Sequence, residues 1–492
     1  MNEVTQHTSW LDTIKAFKHP RVVTMLFLGI SAGLPTLLIF STLGFWLLEA
    51  GVERATVTYF SWAALGYSFK FVWAPLIDLL PLPFLTRILG RRRAWMLLSQ
   101  LMIILAIGFM AMIDPVSNSL VLMGVAAVLL GFSSATQDIV IDAYRIESAE
   151  LDLQALMAST YIAGYRIAWL VVGAGSLVLA EYLGSTKGHY LYSAWQSTYL
   201  VMASLMLIGV ATTLVISEPT SKSLDKKSYT QRDYLRILFL FTLSAFGFIA
   251  CFYYSSATVA EVKTAFSSSL GNANLAGVIV EFSRLLIALT VAGLIAKTAI
   301  VFRVVEQKVV EETYMEPVRD FFVRYGLSLA WLLLALIGLY RISDIVLGVI
   351  SNVFYYDMGF SKNEVAKVVK TFGFAMTLTG GFLGGVLTLR YGVMRILFLG
   401  AILSALTNLL FMLLAQAGHD MTMLYIVIAA DNLSAGLASA AFIAFLSSLT
   451  NVSFTAMQYA IFSSLMLLLP KILGGYSGTM VETMGYQQFF LL

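Results

Sequence analysis

The sequence predicts an all-α integral membrane protein. Of its 492 residues, 59% are hydrophobic and only 12% are charged, whereas soluble domains carry about 25% charged residues. Windows of about 20 apolar residues, the length needed for a helix to cross a bilayer, recur along the whole chain. We therefore expect the lipid bilayer to surround most of the protein.

The apolar windows form two sets of predicted spans. Each window has few charged residues, as transmembrane helices do. Two further apolar segments, 235–256 and 276–301, lie between the sets. A last run starts at Gln488 and is too short to span, so we expect the twelfth helix to be truncated in this chain. The first set is 22–48, 55–79, 95–113, 119–146, 154–183 and 194–217, and the second is 327–356, 364–389, 394–416, 421–449 and 454–480.

The two sets of spans also resemble each other in sequence. Residues 49–57 read EAGVERATV and residues 357–365 read DMGFSKNEV, each at the end of the first span of its set. Six plus six spans with weak internal similarity are typical of the major facilitator architecture. A chance likeness between two membrane-exit turns is the alternative. We predict an N-terminal six-helix bundle (1–217), a central linker with two extra transmembrane helices (218–326) and a C-terminal helix bundle (327–492).

Basic residues are concentrated in alternate loops. Lys15, Lys18 and Arg21 precede the first span and Arg87 follows the second, ahead of the run of arginines at 91–93. The opposite loops hold few. Because loops rich in Lys and Arg stay in the cytoplasm, we expect a multi-pass protein of the inner membrane with a cytoplasmic N-terminus. No cleavable signal peptide is predicted before the first span.

The sequence argues against several classes of site. The single cysteine, Cys251, excludes a disulfide framework, and the four histidines lie in the termini or predicted loops. No paired Cys or His spacing and no Walker A loop occurs. We expect no catalytic residues, no metal, no cofactor and no nucleic-acid partner. A membrane-embedded enzyme or a sensor is an alternative of another class, but intramembrane histidines and a long output loop are both absent.

The fourth span contains charged residues in an unusual position. A charge at the centre of a membrane helix costs about 2.5–3.5 kcal/mol, so such a residue suggests a function. Asp138 and Asp142 are four residues apart and share a helix face, with Gln137 beside them and Arg145 one turn further on. We predict that both aspartates couple transport to protons, with Arg166 as the partner of Asp138. A structural ion-pair cluster is the alternative.

Polar residues in the other spans predict a cavity for a polar, anionic solute. Cations and hydrogen-bond donors at mid-membrane depth bind such a solute strongly because the local dielectric constant is low. Interhelical ion pairs are the alternative for Lys70 and Arg166, and a self-satisfied pair is the alternative for Arg341 with Asp344. The predicted substrate-binding residues are Lys70, Gln137, Tyr161, Tyr165, Arg166, Tyr340, Arg341, Asp344, Asn352, Asp431 and Asn432.

The loop after the second span predicts a gate. Asp78 is followed by Gly90 and three arginines, and a weaker copy of this pattern, with Gly385, Arg390 and Gly392, follows the eighth span. Both resemble the signature between helices two and three of major facilitator proteins, which gates their cytoplasmic side. We predict gate roles for Asp78, Arg91, Arg92 and Arg145, with Arg145 as the partner of Asp78. Basic residues that only set the topology are the alternative.

Longer motifs resemble one branch of that superfamily. Residues 69–78 read FKFVWAPLID, residues 134–143 SATQDIVIDA, residues 164–166 GYR and residues 316–322 EPVRDFF. Together they resemble the AmpG muropeptide permeases, over the chain from Lys18 to its end. The resemblance implies proton-driven import of anhydro-muropeptides for cell-wall recycling and β-lactamase induction, by a monomer. Another major facilitator cargo, such as a coenzyme A thioester or an exported drug, is the alternative.

Overall fold

The structure is a computed structural model that describes residues 15–53, 56–57, 60, 66–117, 120–186, 188–219, 229–270, 273–474 and 477–491. Its regular structure in these ranges is helical. Eleven helices of the described part are long and apolar enough to cross a membrane. This confirms the predicted all-α membrane fold.

The N-terminal helices follow the predicted spans closely. A π-helical turn, Leu38–Thr42, joins α1 to α2, and the second span is broken by the 3-10 turn Lys70–Val72. Residues 54–55, 58–59 and 61–65 of the second span lie outside the described residues. The helices are α1 (Pro20–Leu37), α2 (Leu43–Glu49), α3 (Gly66–Phe69), α4 (Ala74–Leu79), α5 (Leu85–Leu89), α6 (Arg91–Ala111), α7 (Leu120–Ser148), α8 (Leu151–Tyr182), α9 (Tyr192–Leu205) and α10 (Leu207–Val215).

The central segment contains more helix than the sequence predicted. The two apolar segments are helices, but residues 256–270, which were assigned to neither segment, form a further helix. This stretch has alternating small and polar residues and too little apolar length to be recognised as a span. The central helices are α11 (Gln231–Tyr254), α12 (Ser256–Leu270), α13 (Ala273–Val301), α14 (Gln307–Val310) and α15 (Glu316–Tyr325), with the π-helical turn Glu311–Met315 before the last.

The C-terminal helices differ from prediction where the seventh span is broken, at Tyr340 and Arg341. Residues 475–476 lie outside the described residues. Beyond them, the helical segment to Leu491 is interrupted at Gly485 (φ 78°, ψ 162°), which lies between the predicted end of the eleventh span at residue 480 and the predicted start of the last run at Gln488. The helices are α16 (Leu327–Leu339), α17 (Ile342–Asp357), α18 (Lys362–Val365), α19 (Gly373–Tyr391), α20 (Val393–Ala417), α21 (Met421–Leu449), α22 (Thr455–Gly474) and α23 (Ser477–Leu491).

The contacts divide the chain into two compact units. One contains residues 326–492 and most of the chain before residue 224, and the other contains residues 224–325 with Asp78–Leu80. In the first unit, Trp46 stacks on Trp195 at 5.8 Å in the N-terminal half, and Phe490 packs on Phe354 at 5.1 Å in the C-terminal half. Each half therefore has its own apolar core. The predicted three-part division of the chain stays a prediction.

Glycines permit the closest helix contacts in both halves. A Cβ added at Gly33 on α1 would lie 2.6 Å from the carbonyl oxygen of Tyr165 on α8. A Cβ at Gly384 on α19 would lie 2.7 Å from the backbone of Leu437 on α21. Small residues let membrane helices approach in this way because no side chain separates the backbones. The α1–α8 contact fixes the register of the tyrosines on α8 that reach the site described next.

Candidate functional site

A buried ion-pair cluster lies between the broken second span and α7. Lys70 is 4% exposed, and its Nζ donates a hydrogen bond to Oδ2 of Asp138. The same Nζ lies 3.7 Å from Oδ2 of Asp142. The 3-10 turn that begins at Lys70 interrupts the α-helix, and a buried ammonium requires a charged partner. The interhelical ion pair, one of the two readings left open for Lys70, therefore fits its contacts.

A band of hydroxyl groups continues this cluster. Tyr161 on α8 donates to Oδ1 of Asp138 at 3.0 Å. Further along, the Tyr165 hydroxyl lies 2.8 Å from Oγ1 of Thr36, and the Tyr67 hydroxyl lies 3.4 Å from the same atom. The sequence analysis missed Thr36 and Tyr67, because isolated hydroxyl residues are common in membrane helices and carry no pattern.

The predicted partner of Asp138 is wrong. Within the described ranges, Asp138 pairs with Lys70 and Tyr161, whereas the guanidinium of Arg166 lies over the Trp169 ring, 4.8 Å from its centroid. No described carboxylate forms an ion pair with Arg166.

Arg145 connects the two halves of the first unit. Its guanidinium donates to Asp142 Oδ1 at 3.3 Å and to Gln154 Oε1 at 2.9 Å, both in the N-terminal half. It also donates to Ser447 Oγ at 2.7 Å on α21 and lies over the Tyr459 ring of α22 at 5.1 Å. The prediction that Arg145 pairs with Asp78 is therefore wrong, because a fully buried guanidinium bonds to the polar groups nearest to it.

The C-terminal half has a second charged cluster. Arg341 lies at the break between α16 and α17, and its Nη2 is 3.5 Å from Oδ2 of Asp344. Its Nε is buried without a hydrogen-bond partner. Ser404 donates to Asp344 at 2.9 Å, and Asp431 accepts from Thr407 at 3.4 Å. The pair with Asp344 therefore leaves part of the Arg341 guanidinium unsatisfied.

Other predicted cargo residues are engaged in helix packing. Gln137 is fully buried and donates to Ser31 Oγ at 3.0 Å, while its Oε1 is buried without a hydrogen-bond partner among the described residues. Tyr340 donates to the Leu397 carbonyl at 2.8 Å, and Asn432 accepts from Thr377 at 2.7 Å. The side chain of Asn352 lies outside the described residues.

The predicted gate arginines surround a carboxylate that the sequence analysis missed. Arg92 bonds to Glu147 through Nε at 2.9 Å and Nη2 at 2.5 Å, and Arg91 lies 3.8 Å from the same carboxylate. Glu218 accepts from the backbone nitrogens of Arg92 at 2.7 Å and Arg93 at 3.0 Å. A carboxylate at a helix N-terminus is favourable because of the helix dipole. Asp78 lies in α4.

Comparison with known proteins decides the family. The chain is 30% identical to the transporter AmpG 4 of Rickettsia conorii over 477 residues, covering 97% of this chain and 94% of that one. The chain belongs to the AmpG family. It is also 29% identical to the anhydromuropeptide permease of Escherichia coli, covering 97% of this chain and 78% of that one. A family model described as acetyl-coenzyme A transporter 1 matches residues 22–180.

Solved structures confirm the fold predicted for this AmpG family member. The outward-facing major facilitator transporter FucP gives a TM-score of 0.57 at 12% identity, covering 97% of this chain and 95% of that one. The proton:xylose symporter XylE gives 0.53 at 11% identity, covering 98% and 94%. The protein therefore has the major facilitator fold. It is a secondary transporter, a multi-pass protein of the inner membrane and not an enzyme.

Proposed function

We propose that this chain imports anhydro-muropeptides into the cytoplasm in symport with protons. The cargo is supported by the 29% identity to an anhydromuropeptide permease. The observation that carries the proposal is Arg341 at the break between α16 and α17, whose Nε is buried without a hydrogen-bond partner in the described part of the chain and so can bind an anion. Muropeptides have carboxylates on a peptide stem, and we propose that Arg341 and Arg166 hold one of them.

The break in the seventh span strengthens this anion site. Arg341 stands at the N-cap position of α17, with φ −102° and ψ 13°. The N-terminus of a helix has a partial positive charge and free N–H groups, and transporters use discontinuous helices in this way to bind anionic substrate groups. Arg341 therefore supplies a cation next to a helix end that also favours a bound anion.

The Lys70 cluster supports proton coupling. Lys70 bonds to Asp138 and Arg145 bonds to Asp142, so two acids balance two bases in a buried site. Protonation of Asp138 would remove the nearer of the two carboxylate charges that hold Lys70, since Asp142 lies 3.7 Å from the same Nζ. We propose that Asp138 takes up the coupled proton, that Asp142 adjusts the charge of the site and keeps a charged partner for Lys70, and that the weakened contact of Lys70 lets the second span move against α7.

Transport by membrane vesicles of both orientations that contain the full chain would test this function. In inverted vesicles, whose lumen is the periplasmic side, we expect labelled anhydro-muropeptide loaded inside to be expelled when the lumen is made acidic. In right-side-out vesicles, an acidic exterior should concentrate cargo inside. Accumulation that is unaffected by a proton ionophore would contradict proton coupling, and no movement of cargo in either orientation would contradict the cargo.

A coenzyme A thioester is a second candidate cargo. It is supported by the match of residues 22–180 to the acetyl-coenzyme A transporter model, and its phosphates would also suit Arg166 and Arg341. Competition separates the two cargoes. An excess of unlabelled acetyl-coenzyme A should leave muropeptide uptake unchanged if the first proposal is correct, and labelled acetyl-coenzyme A should not accumulate.

The topology proposed for this function follows the distribution of basic residues. We propose a monomer whose N-terminus is cytoplasmic, so that Arg91, Arg92, Glu147 and Arg145 lie on the cytoplasmic side and act as a gate, and we propose a gate role for Asp78 as well. The contacts of Arg145 with Ser447 hold the two halves together at this level. Alternating access requires these contacts to break and re-form.

Replacement of Arg145 tests the gate. We expect Arg145→Ala to slow uptake by about tenfold or more, since each lost hydrogen bond from a charged group is worth about 1.5–3 kcal/mol, while the Kd for cargo changes little. Initial uptake rates in vesicles and cargo binding to purified protein would be compared. Ser447→Ala, which removes only the contact across the halves, should give a smaller effect of the same kind. A large loss of affinity at an unchanged rate would instead assign Arg145 to the cargo site.

A further inference from the structure

An apolar groove of about 470 Å³ lies on the second unit, between α11 and the end of α13. Phe239 and Leu243 form the α11 wall, and Leu294 and Phe302 belong to the α13 wall. Their side chains are 40–75% exposed. Both helices are long and apolar enough to span the membrane, so lipid chains meet this groove. Its volume lies within the range of about 300–1,000 Å³ typical of small-molecule sites.

One end of the groove is basic. Arg232 and Arg236 precede Phe239 and Leu243 at spacings of four, three and four residues, which puts all four on one face of α11. Arg303 follows the end of α13 and is adjacent to Phe302 and Val304, which both line the groove. Because α11 begins where α13 ends, these three arginines gather at the same end of the groove.

These arginines are not neutralised by ion pairs. In the part of the chain that the structure describes, none of the three forms a hydrogen bond or ion pair through its side chain. Asp233 is the nearby acid that interacts with Arg232 and Arg236, but its carboxylate is already bonded to Thr230 in the capping box of α11. Glu306 begins α14. Glu312 also lies near the start of α11, where it accepts a hydrogen bond from the Tyr229 hydroxyl. None of these carboxylates forms an ion pair with the three arginines within the described residues.

The backbone at Arg303 is also unusual. Its φ is 54°, a left-handed conformation that residues other than glycine rarely adopt. Glycine is the usual residue at such a helix end. Here the position instead holds a cation, directly after the apolar residues of the groove.

We propose that this groove binds one acyl chain of an anionic phospholipid, with the lipid phosphate held by Arg232, Arg236 and Arg303. The membrane supplies this lipid. The apolar groove matches the acyl tail, and the basic end of the groove matches the phosphate headgroup. Basic pockets between transmembrane helices bind anionic headgroups in this manner. The proposal depends on the membrane-spanning helices of the second unit and not on the cargo.

Native mass spectrometry of the full chain would test this site. Detergent-purified protein would be titrated with phosphatidylglycerol and with phosphatidylcholine of the same acyl chains. We expect phosphatidylglycerol to bind at least about tenfold more tightly, because both lipids offer a phosphate to the arginines but the cationic choline of phosphatidylcholine is repelled by them. The triple variant Arg232→Gln, Arg236→Gln, Arg303→Gln should lose this preference. Thr298→Trp, which fills the groove, should weaken both lipids.

A matched control removes a cation outside the groove. Lys297 is exposed on α13 and is not among the lining residues, so Lys297→Gln should retain the preference. The proposal would be overturned if the unchanged protein bound phosphatidylglycerol and phosphatidylcholine with equal affinity. The role of the groove would be overturned if glycerol phosphate fully displaced the lipid or if Thr298→Trp bound lipid as tightly as the unchanged protein. In either case the arginines would bind only the phosphate.

Discussion

Replacement of Asp138 by Asn should abolish accumulation driven by a pH gradient while the protein remains folded in the membrane. Asn has nearly the same shape as Asp but cannot take up a proton or pair with Lys70 as an anion. Asp142 lies 3.7 Å from the same Nζ, so the ammonium keeps one charged partner. We expect facilitated exchange of cargo across the membrane to persist, because exchange at equal pH requires no net proton movement.

Two further variants make this result interpretable. Removing one member of a buried ion pair costs about 3–5 kcal/mol, whereas replacing both members can be nearly neutral. The double variant Lys70→Met, Asp138→Asn should therefore be more stable than Asp138→Asn and still be uncoupled. Asp152→Asn, at an exposed acid in the first turn of α8, should accumulate cargo normally. Concentrative uptake by Asp138→Asn itself would remove this residue from the coupling step.

Neutralising Arg166 or Arg341 should weaken cargo that bears a peptide far more than the bare anhydro-disaccharide. A charge-assisted hydrogen bond is worth about 1.5–3 kcal/mol, so Arg166→Gln or Arg341→Gln should raise the Kd of a muropeptide by about tenfold to a hundredfold. The sugar lacks the stem carboxylates and should be affected little. Lys70 was predicted with Arg166 as a substrate-binding residue. We do not expect the same effect for Lys70, because its ammonium already pairs with Asp138 and Asp142.

Binding of both ligands to purified protein would be measured by calorimetry. Arg395→Gln serves as the control, since Arg395 is exposed near the start of α20. In the double variant Arg166→Gln, Arg341→Gln, the two losses should be less than additive if both cations hold the same carboxylate. Equal losses for sugar and muropeptide would mean that the arginines hold helices together, and unchanged binding of both would locate the cargo elsewhere.

The family could be recognised from the sequence before any coordinates. Runs of 20 apolar residues predict spanning helices because a bilayer leaves backbone groups no other partners, and the motifs at 69–78 and 134–143 carried the AmpG resemblance. Most of the helix limits in the two halves are close to the predicted ones for the same reason. The short helix Ser256–Leu270 was missed because it has no long apolar run to reveal it.

The charged residues were recognisable in sequence, but their partners were not. Asp138, Asp142, Arg145 and Arg166 stand out because charge is rare in membrane helices. The contact of Arg145 with Asp142 agrees with the alternative of a structural ion-pair cluster, since residues three apart share a helix face. Spacing along one helix could not reveal that Lys70 rather than Arg166 reaches Asp138.

The physical reason is that ion-pair choice depends on distances between helices. The 3-10 turn at Lys70 brings its ammonium to α7, and the close packing of α1 on α8 at Gly33 sets the height of Tyr161 and Arg166. The separation between Arg166 and Arg341 depends in turn on how the two halves of the first unit pack. The sequence by itself determined the class of protein and which residues are costly to bury, whereas the tertiary structure decided which of those charges neutralise each other.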